Sequence, residues 1–257
     1  MTKNTNGVGV RAAMAVAALV LTAGAANAAI VYSTDFNAPT YGDAALVGQD
    51  GWLQTGTVAT NPLMVANTGT NGNVFMTTGQ DANHPFAAIT TDSVLLSADI
   101  VVSTASTAGD YFLHLSDGGT SAFNARIYVK SDGAGGFVMA MGTAAGAVVY
   151  GTTPLTFGTP YRITARYDFV SGLANDTGEL FVDPAGGFPL PATTSYALAT
   201  TVGTDATTIA AVNLRQGSAT NAPGVTVDNI VVEAVPAPGA IALLGLGGLV
   251  ASRRRRA

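Results

Sequence analysis

The chain contains no cysteine, which excludes both a disulfide framework and a thiol nucleophile. Histidine occurs only at His84 and His114. Neither is accompanied by a Gly-x-Ser-x-Gly elbow, so a nucleophile with a histidine base has little to draw on. Glutamate occurs only at Glu179 and Glu233, far apart in sequence, and tryptophan only at Trp52. Charged residues make up 11% of the chain, and no segment shows a convincing period of 3.6 residues. A cytosolic helical enzyme is not what these absences describe.

Glycine is abundant instead, with 31 of 257 residues, and Thr, Ala, Val and Ser dominate, the composition of an exported, loop-rich β protein. From Ile30 to Val235, short strand-like runs alternate with Gly, Asn, Asp and Pro clusters. Tyr161, Ile163, Ala165, Tyr167 and Phe169 alternate with Arg162, Thr164, Arg166 and Asp168, which predicts one half-buried strand. A Gly/Asn/Asp turn then leads into Gly178–Val182, predicting a hairpin. Ala87–Val102 is predicted as a single long strand and Thr57–Val65 as another. About a dozen strands over some 200 residues predict two packed antiparallel sheets in one domain. Asp132-Gly-Ala-Gly-Gly136 leads into a strand rather than a helix, so a phosphate cradle is not indicated.

Charge is distributed unevenly. Lys3, Arg11 and Arg253, Arg254, Arg255 and Arg256 stand at the two ends. The interval between holds five basic residues against all 16 acidic ones, a net charge of −11. Such a surface repels phosphate backbones and excludes nucleic acid as a partner, while tolerating divalent cations.

At the N-terminal end Lys3 and Arg11 precede the apolar run Ala12–Ala23, followed by Gly24-Ala-Ala-Asn-Ala-Ala29. A basic start, about a dozen apolar residues and a small-x-small ending describe a secretory signal peptide over residues 1–28, cleaved between Ala28 and Ala29. An uncleaved anchor is the alternative. At the C-terminal end, Pro236-Ala-Pro-Gly239 punctuates the domain 29–234. An apolar run, Ile241–Ala251, and the four arginines then follow. As a helix, residues 235–252 would span about 27 Å, slightly short of a hydrocarbon core of roughly 30 Å. Gly245, Gly247 and Gly248 weaken it further, which suits a transient anchor with its arginines on the cytoplasmic side. The alternatives are a short core helix or a loose tail.

Pro236-Ala237-Pro238, the apolar run and Arg253–Arg256 resemble the PEP-CTERM sorting signals of exported bacterial proteins, with Ala237 standing where the family has glutamate. The resemblance implies export by the secretion machinery, transient anchoring in the inner membrane, and cleavage near the prolines by an exosortase-type enzyme. Release to the cell envelope, the surface or the extracellular matrix would follow.

The body carries a second resemblance. Tyr32-Ser-Thr-Asp-Phe-Asn37 with Gly48-Gln-Asp-Gly-Trp52 resembles the opening of concanavalin A-like (LamG-like) jelly rolls, Tyr167–Phe169 with Glu179–Asp183 their central hairpin, and Leu214–Ser218 with Val225–Val232 their last strand. The resemblance implies an all-β jelly-roll sandwich whose first and last strands pair. That family mixes lectins, glycan-binding modules, glycosidases and adhesive domains.

In such domains the end strands often supply a carboxylate each to a structural Ca²⁺; Asp35 and Asp228 are the corresponding residues, and oxygen ligands are what that ion requires. The alternative is that Asp228-Asn229 makes edge hydrogen bonds only. Trp52 is the candidate sugar platform, set against a packed ring at the sandwich edge; Tyr41, Tyr111 and Tyr128 are lesser candidates. Retaining glycosidases on this fold carry a Glu-x-Asp-x-x-Glu strand; the two glutamates here are far apart, and no strand has two aspartates at spacing two or four. The expected function is a non-enzymatic exported cell-surface or matrix protein, with extracellular polysaccharide binding as the alternative and glycoside hydrolysis less favoured.

Overall fold

The computed structural model describes residues 28–56, 60–119, 122–143, 148–184, 195–201, 204–218 and 220–236. The expected signal helix, Pro238, Gly239, the apolar run and Arg253–Arg256 lie outside the described residues. Among the described residues there is no helix, and so none long and apolar enough to cross a membrane.

The strands are β1 (Ala29–Thr34), β2 (Leu53–Thr55), β3 (Met64–Ala66), β4 (Asn73–Met76), β5 (Asp81–Ile89), β6 (Ser93–Thr104), β7 (Asp110–Ser116) and β8 (Phe123–Ser131). They continue with β9 (Phe137–Gly142), β10 (Val149–Tyr150), β11 (Pro160–Asp168), β12 (Thr177–Pro184), β13 (Ala197–Thr200), β14 (Ile209–Leu214) and β15 (Gly224–Val235). One sheet has the order β13-β12-β11-β6-β15-β4-β3, with β1 also paired to β15; the other runs β10-β9-β8-β7-β14-β5-β2. All ladders between these strands are antiparallel, and β1 pairs with β15 as the jelly-roll resemblance implies.

The two sheets bury their inner faces against each other. Val94, Leu96, Ala98, Ile100 and Val102 of β6 are at most 1% exposed, and Leu113, Leu115, Ile127, Val129, Met139 and Met141 of the other sheet are fully buried. Met141 of β9 reaches Gly178 of β12, where a Cβ would sit 2.7 Å from its methyl carbon. Each fully buried aliphatic side chain contributes roughly 1.5–3 kcal/mol.

The predicted hairpin is β11–β12, in register from Arg162↔Asp183 to Asp168↔Thr177. Its half-buried character is corrected. Tyr161, Ile163, Ala165 and Tyr167 face the core, yet Arg162 and Thr164 on the opposite side are also buried. The Thr164 and Ser97 hydroxyls bond at 3.0 Å, and the Arg162 guanidinium bonds Asp99, so polar neighbours cover this central strand.

Three strand boundaries differ from expectation. The run 87–102 is broken at Thr90–Asp92, where Asp92 takes a φ of 69° and the chain crosses from β5 in one sheet to β6 in the other. Asn61 likewise turns at a φ of 57°, so of the described residues in the strand expected over 57–65 only Met64 and Val65 belong to β3. β13 follows no sequence expectation; it is held by β12 through Thr177↔Thr200 to Leu180↔Ala197.

Candidate functional site: the outer face of the seven-stranded sheet

Alternation along β8 sends Ile127 and Val129 into the core and leaves Arg126, Tyr128 and Lys130 on the other side. Tyr111 of β7 stands opposite Tyr128, their ring centroids 5.3 Å apart. The Arg126 guanidinium lies 5.7 Å from the Tyr111 centroid and 5.6 Å from that of Tyr128, and its Nη2 donates to the Thr143 carbonyl at 2.8 Å. From the end of β14, Arg215 covers Tyr111 at 4.1 Å and bonds Asp110 at 2.7 Å. The Lys130 ammonium sits 3.9 Å from the Tyr150 centroid.

Glycines leave room for two of these rings. A Cβ at Gly142 would meet the Tyr128 ring at 3.0 Å. One at Gly109 would meet the Tyr150 hydroxyl at 2.7 Å and the Lys130 Cβ at 2.8 Å, and Gly109 also has a φ of 74°. The result is a band of tyrosine rings and cations crossing from β10 to β14. Burial raises the phenol pKa of Tyr111, Tyr128 and Tyr150 above its ordinary value, so all three hydroxyls stay protonated donors at neutral pH.

Beneath the band lies His114, only 2% exposed. Its register with Asn213 places it opposite Leu113 and Leu115, as alternation predicts. It is no open strand position, however, because Phe123 at 4.7 Å and Tyr111 at 5.4 Å cover it. Burial first, then the charges of Arg215 and Arg126, push its pKa down to about 3. The ring is therefore neutral across the physiological range. Neither nitrogen has a hydrogen-bond partner.

Two carboxylates border the band. Asp110 is held by Arg215, whose charge is favoured by Asp110 and Tyr111 against the opposing effect of burial. Asp81 accepts the Gln216 amide at 2.8 Å, and burial pushes its pKa up to about 6, with Asp110 adding to the rise. Sequence reasoning missed both. They come together only because β14 lies between β5 and β7.

Trp52 presents no face to a sugar. It is fully buried, so the packed ring is the observed arrangement. It lies among Tyr32, Phe36 and His84, with its Nε1 donating to the Tyr41 hydroxyl at 3.1 Å. Tyr41, 3% exposed, passes its own hydrogen to Asp50 at 2.9 Å. His84 belongs to β5 rather than to a loop. It stacks on Tyr32 at 4.0 Å and its Nε2 donates to the Asp50 carbonyl at 2.7 Å. Ala28 and Ala29, flanking the expected signal cleavage, are exposed, and β1 begins at Ala29.

Asp35 and Asp228 do approach each other on the eight-stranded sheet. A cleft of about 420 Å³ there is lined by Asp35, Arg162 and Asn229, among others. Cross-strand register sets Asp228, Asp99 and Arg162 in one row. Burial, then Asp99 and Asp35, push the Asp228 pKa up to about 6 against the Asn229 amide bond. Calcium needs six to eight oxygens. Here Arg162 Nη1 takes both Asp99 Oδ1 at 3.2 Å and the Asn229 carbonyl at 2.9 Å. Among the described residues no three metal-ligating side chains gather. The residues as placed do not fit the ion, and added Ca²⁺ is expected to leave the melting temperature unchanged; a rise would restore the site.

The raised Asp228 pKa has a stability consequence. A carboxyl whose folded pKa exceeds its unfolded one contributes stability below pH 4 that is lost as pH rises through about 6. Asp228→Asn is expected to raise stability at pH 7 by on the order of 1 kcal/mol, after allowance for solvent screening. No gain is expected at pH 4. Thermal unfolding of both proteins at the two pH values checks it.

No family model matches the chain, and no curated protein matches it. Among solved structures it is similar to the CBM2 module of the evolved Dit of Lactobacillus casei BL23 phage J-1, at 12% identity and a TM-score of 0.43, covering 82% of this chain and 97% of that one. Domain 4 of AbnA, an extracellular arabinanase from Geobacillus stearothermophilus, is similar at 11% identity and a TM-score of 0.43 over 82% and 96% of the chains. The carbohydrate-binding module CBM66 from Bacillus subtilis is similar at 12% and 0.39 over 72% and 96%. Likeness this distant adds nothing to the two-sheet antiparallel sandwich that the strand pairing establishes.

Proposed function

We propose that this is an exported cell-surface or extracellular-matrix protein whose sandwich binds polysaccharide, without cleaving it, through the outer face of the seven-stranded sheet. One observation carries the reading: Tyr111, Tyr128 and Tyr150 share one face of the sheet, interleaved with Arg126, Lys130 and Arg215. Flat rings stack on the apolar faces of sugars, and guanidinium groups and phenols donate to their hydroxyls. The reading is binding rather than hydrolysis because, on this face, Asp110 is held in an ion pair with Arg215.

Calorimetry of the purified protein against a panel of soluble polysaccharides, with a reducing-end assay alongside, tests it. Saturable binding without release of reducing ends is expected, and Tyr128→Ala is expected to weaken it roughly tenfold, at about 1–2 kcal/mol for one lost aromatic contact. Release of reducing ends would establish a glycosidase instead. The export part of the proposal rests on the sorting-signal resemblance. Replacing Arg253–Arg256 by Ser in the native host is expected to reduce processing and surface display, read by immunoblot of cell fractions.

A further inference from the structure

The described domain holds five basic residues against 16 acidic ones, yet three of the five, Arg126, Lys130 and Arg215, stand on this one face. The remaining two belong to the opposite sheet; like Arg215 with Asp110, each is bonded to a carboxylate, Arg162 to Asp99 and Arg166 to Asp168. A domain with so few cations does not collect them on one surface for solubility, since the net charge of −11 between the two basic ends already provides that.

We infer that the polysaccharide this face takes is anionic, carrying carboxylate or sulfate groups, with Arg126 and Lys130 meeting successive acidic groups on either side of Tyr128. The inference rests on the glycan-binding reading above. Arg126, Tyr128 and Lys130 occupy alternate positions of a strand in unbroken register with β9, so the Cα atoms of the two cationic residues stand about 13 Å apart along β8 with Tyr128 between them. A guanidinium and an ammonium so spaced receive acidic groups repeated along an extended chain through charge-assisted hydrogen bonds.

The acidic groups facing the band, Asp110 and Asp81, act on its Arg215 end: Asp110 bonds Arg215 at 2.7 Å, and Asp81 on β5 stands close enough to favour the same charge. Arg126 and Lys130 lie on β8. His114, neutral beneath the rings, adds no charge of either sign. The −11 body works against indiscriminate binding of polyanions, so an anionic chain that binds must do so locally, at the face where the cations are.

The test uses probes that differ in charge alone. The purified protein is titrated calorimetrically with polygalacturonate and its methyl ester, and with dextran sulfate and dextran. Affinity for an acidic chain at least tenfold above that for its neutral counterpart is expected, falling as salt is raised. Preference for polygalacturonate marks carboxylate as the group read, and preference for dextran sulfate marks sulfate. Arg126→Gln and Lys130→Gln are each expected to weaken the acidic interaction roughly tenfold. Arg166→Gln on the opposite sheet removes the same charge from the whole protein without that loss. Unchanged Trp52 fluorescence shows that the variants are folded. Equal affinity for polygalacturonate and its ester overturns the anionic inference and leaves glycan binding standing. Acidic preference that survives both substitutions overturns the placement on β8. Failure of all four polysaccharides to bind overturns the glycan-binding reading itself.

Discussion

Trp52→Ala is expected to lower the unfolding free energy by about 3–5 kcal/mol, the range for deleting a large aromatic side chain from a packed interior. Most domains are stable by only 5–15 kcal/mol, so this single change removes a large share. The ring is fully buried and closes one edge of the sandwich between Tyr32 of β1 and His84 of β5. Its indole N–H starts a chain of hydrogen bonds through Tyr41 to Asp50, and truncation leaves the Tyr41 hydroxyl without that donor. Trp52→Phe keeps part of the volume and is expected to lose about half as much. Urea unfolding followed by circular dichroism measures both. A cost under 1 kcal/mol for the alanine variant would mean that the edge is not closed by this ring. In the unsubstituted protein, Trp52 emission reports unfolding directly, and polysaccharide bound on the opposite surface of its sheet is expected to leave it unchanged.

The second large effect is expected at Asp176, 1% exposed in the turn between β11 and β12. Its Oδ2 accepts the hydroxyl hydrogen of the fully buried Tyr167 at 2.7 Å, and its Oδ1 accepts the Val170 amide at 2.7 Å. Asp205 draws in the same turn by accepting the Asn175 and Asp176 amides at 3.0 and 3.1 Å. Asp176→Ala strands the buried Tyr167 hydroxyl at roughly 1–3 kcal/mol and costs less at the more exposed Val170 amide, so a total loss of about 2–4 kcal/mol is expected. Asp176→Asn retains one oxygen and is expected to lose clearly less. Equal losses in the two variants would show that side-chain volume, rather than these bonds, holds the turn. Thermal and urea unfolding of the pair decides between them.

What could be read from the sequence follows the range of the interactions. The β11–β12 hairpin was legible because its alternation and its turn are both local, from Tyr161 to Val182. The break at Thr90–Asp92 was not, because no glycine or proline marks it and Asp92 takes its positive φ only as the chain changes sheets. The pairing of β1 with β15 followed from a resemblance at the two ends of the body, since no local pattern spans 200 residues.

The candidate site was half visible. Arg126-Ile-Tyr-Val-Lys130 shows a polar stripe by alternation alone, but the basic residues entered only as a charge count. Tyr111 and Arg215 meet Tyr128 and Arg126 only through the β8–β7–β14 order, a non-local fact. Trp52 drew attention as the one tryptophan, yet three partners from separate parts of the chain bury it. Arg162, which lines the same cleft as Asp35, arrives from β11 and is not foreseeable from either end strand.

Hydroxyl-radical footprinting of the purified protein, with and without a saturating polysaccharide from the calorimetric panel, tests the central claim most directly. Oxidation is read residue by residue, so the bound chain reports where it lies. Protection of Tyr111, Tyr128 and Tyr150 is expected, with no change at Met64 and Phe75, which are 48% and 47% exposed on the other sheet. Protection of Met64 and Phe75 with the three tyrosines unaffected would contradict the account.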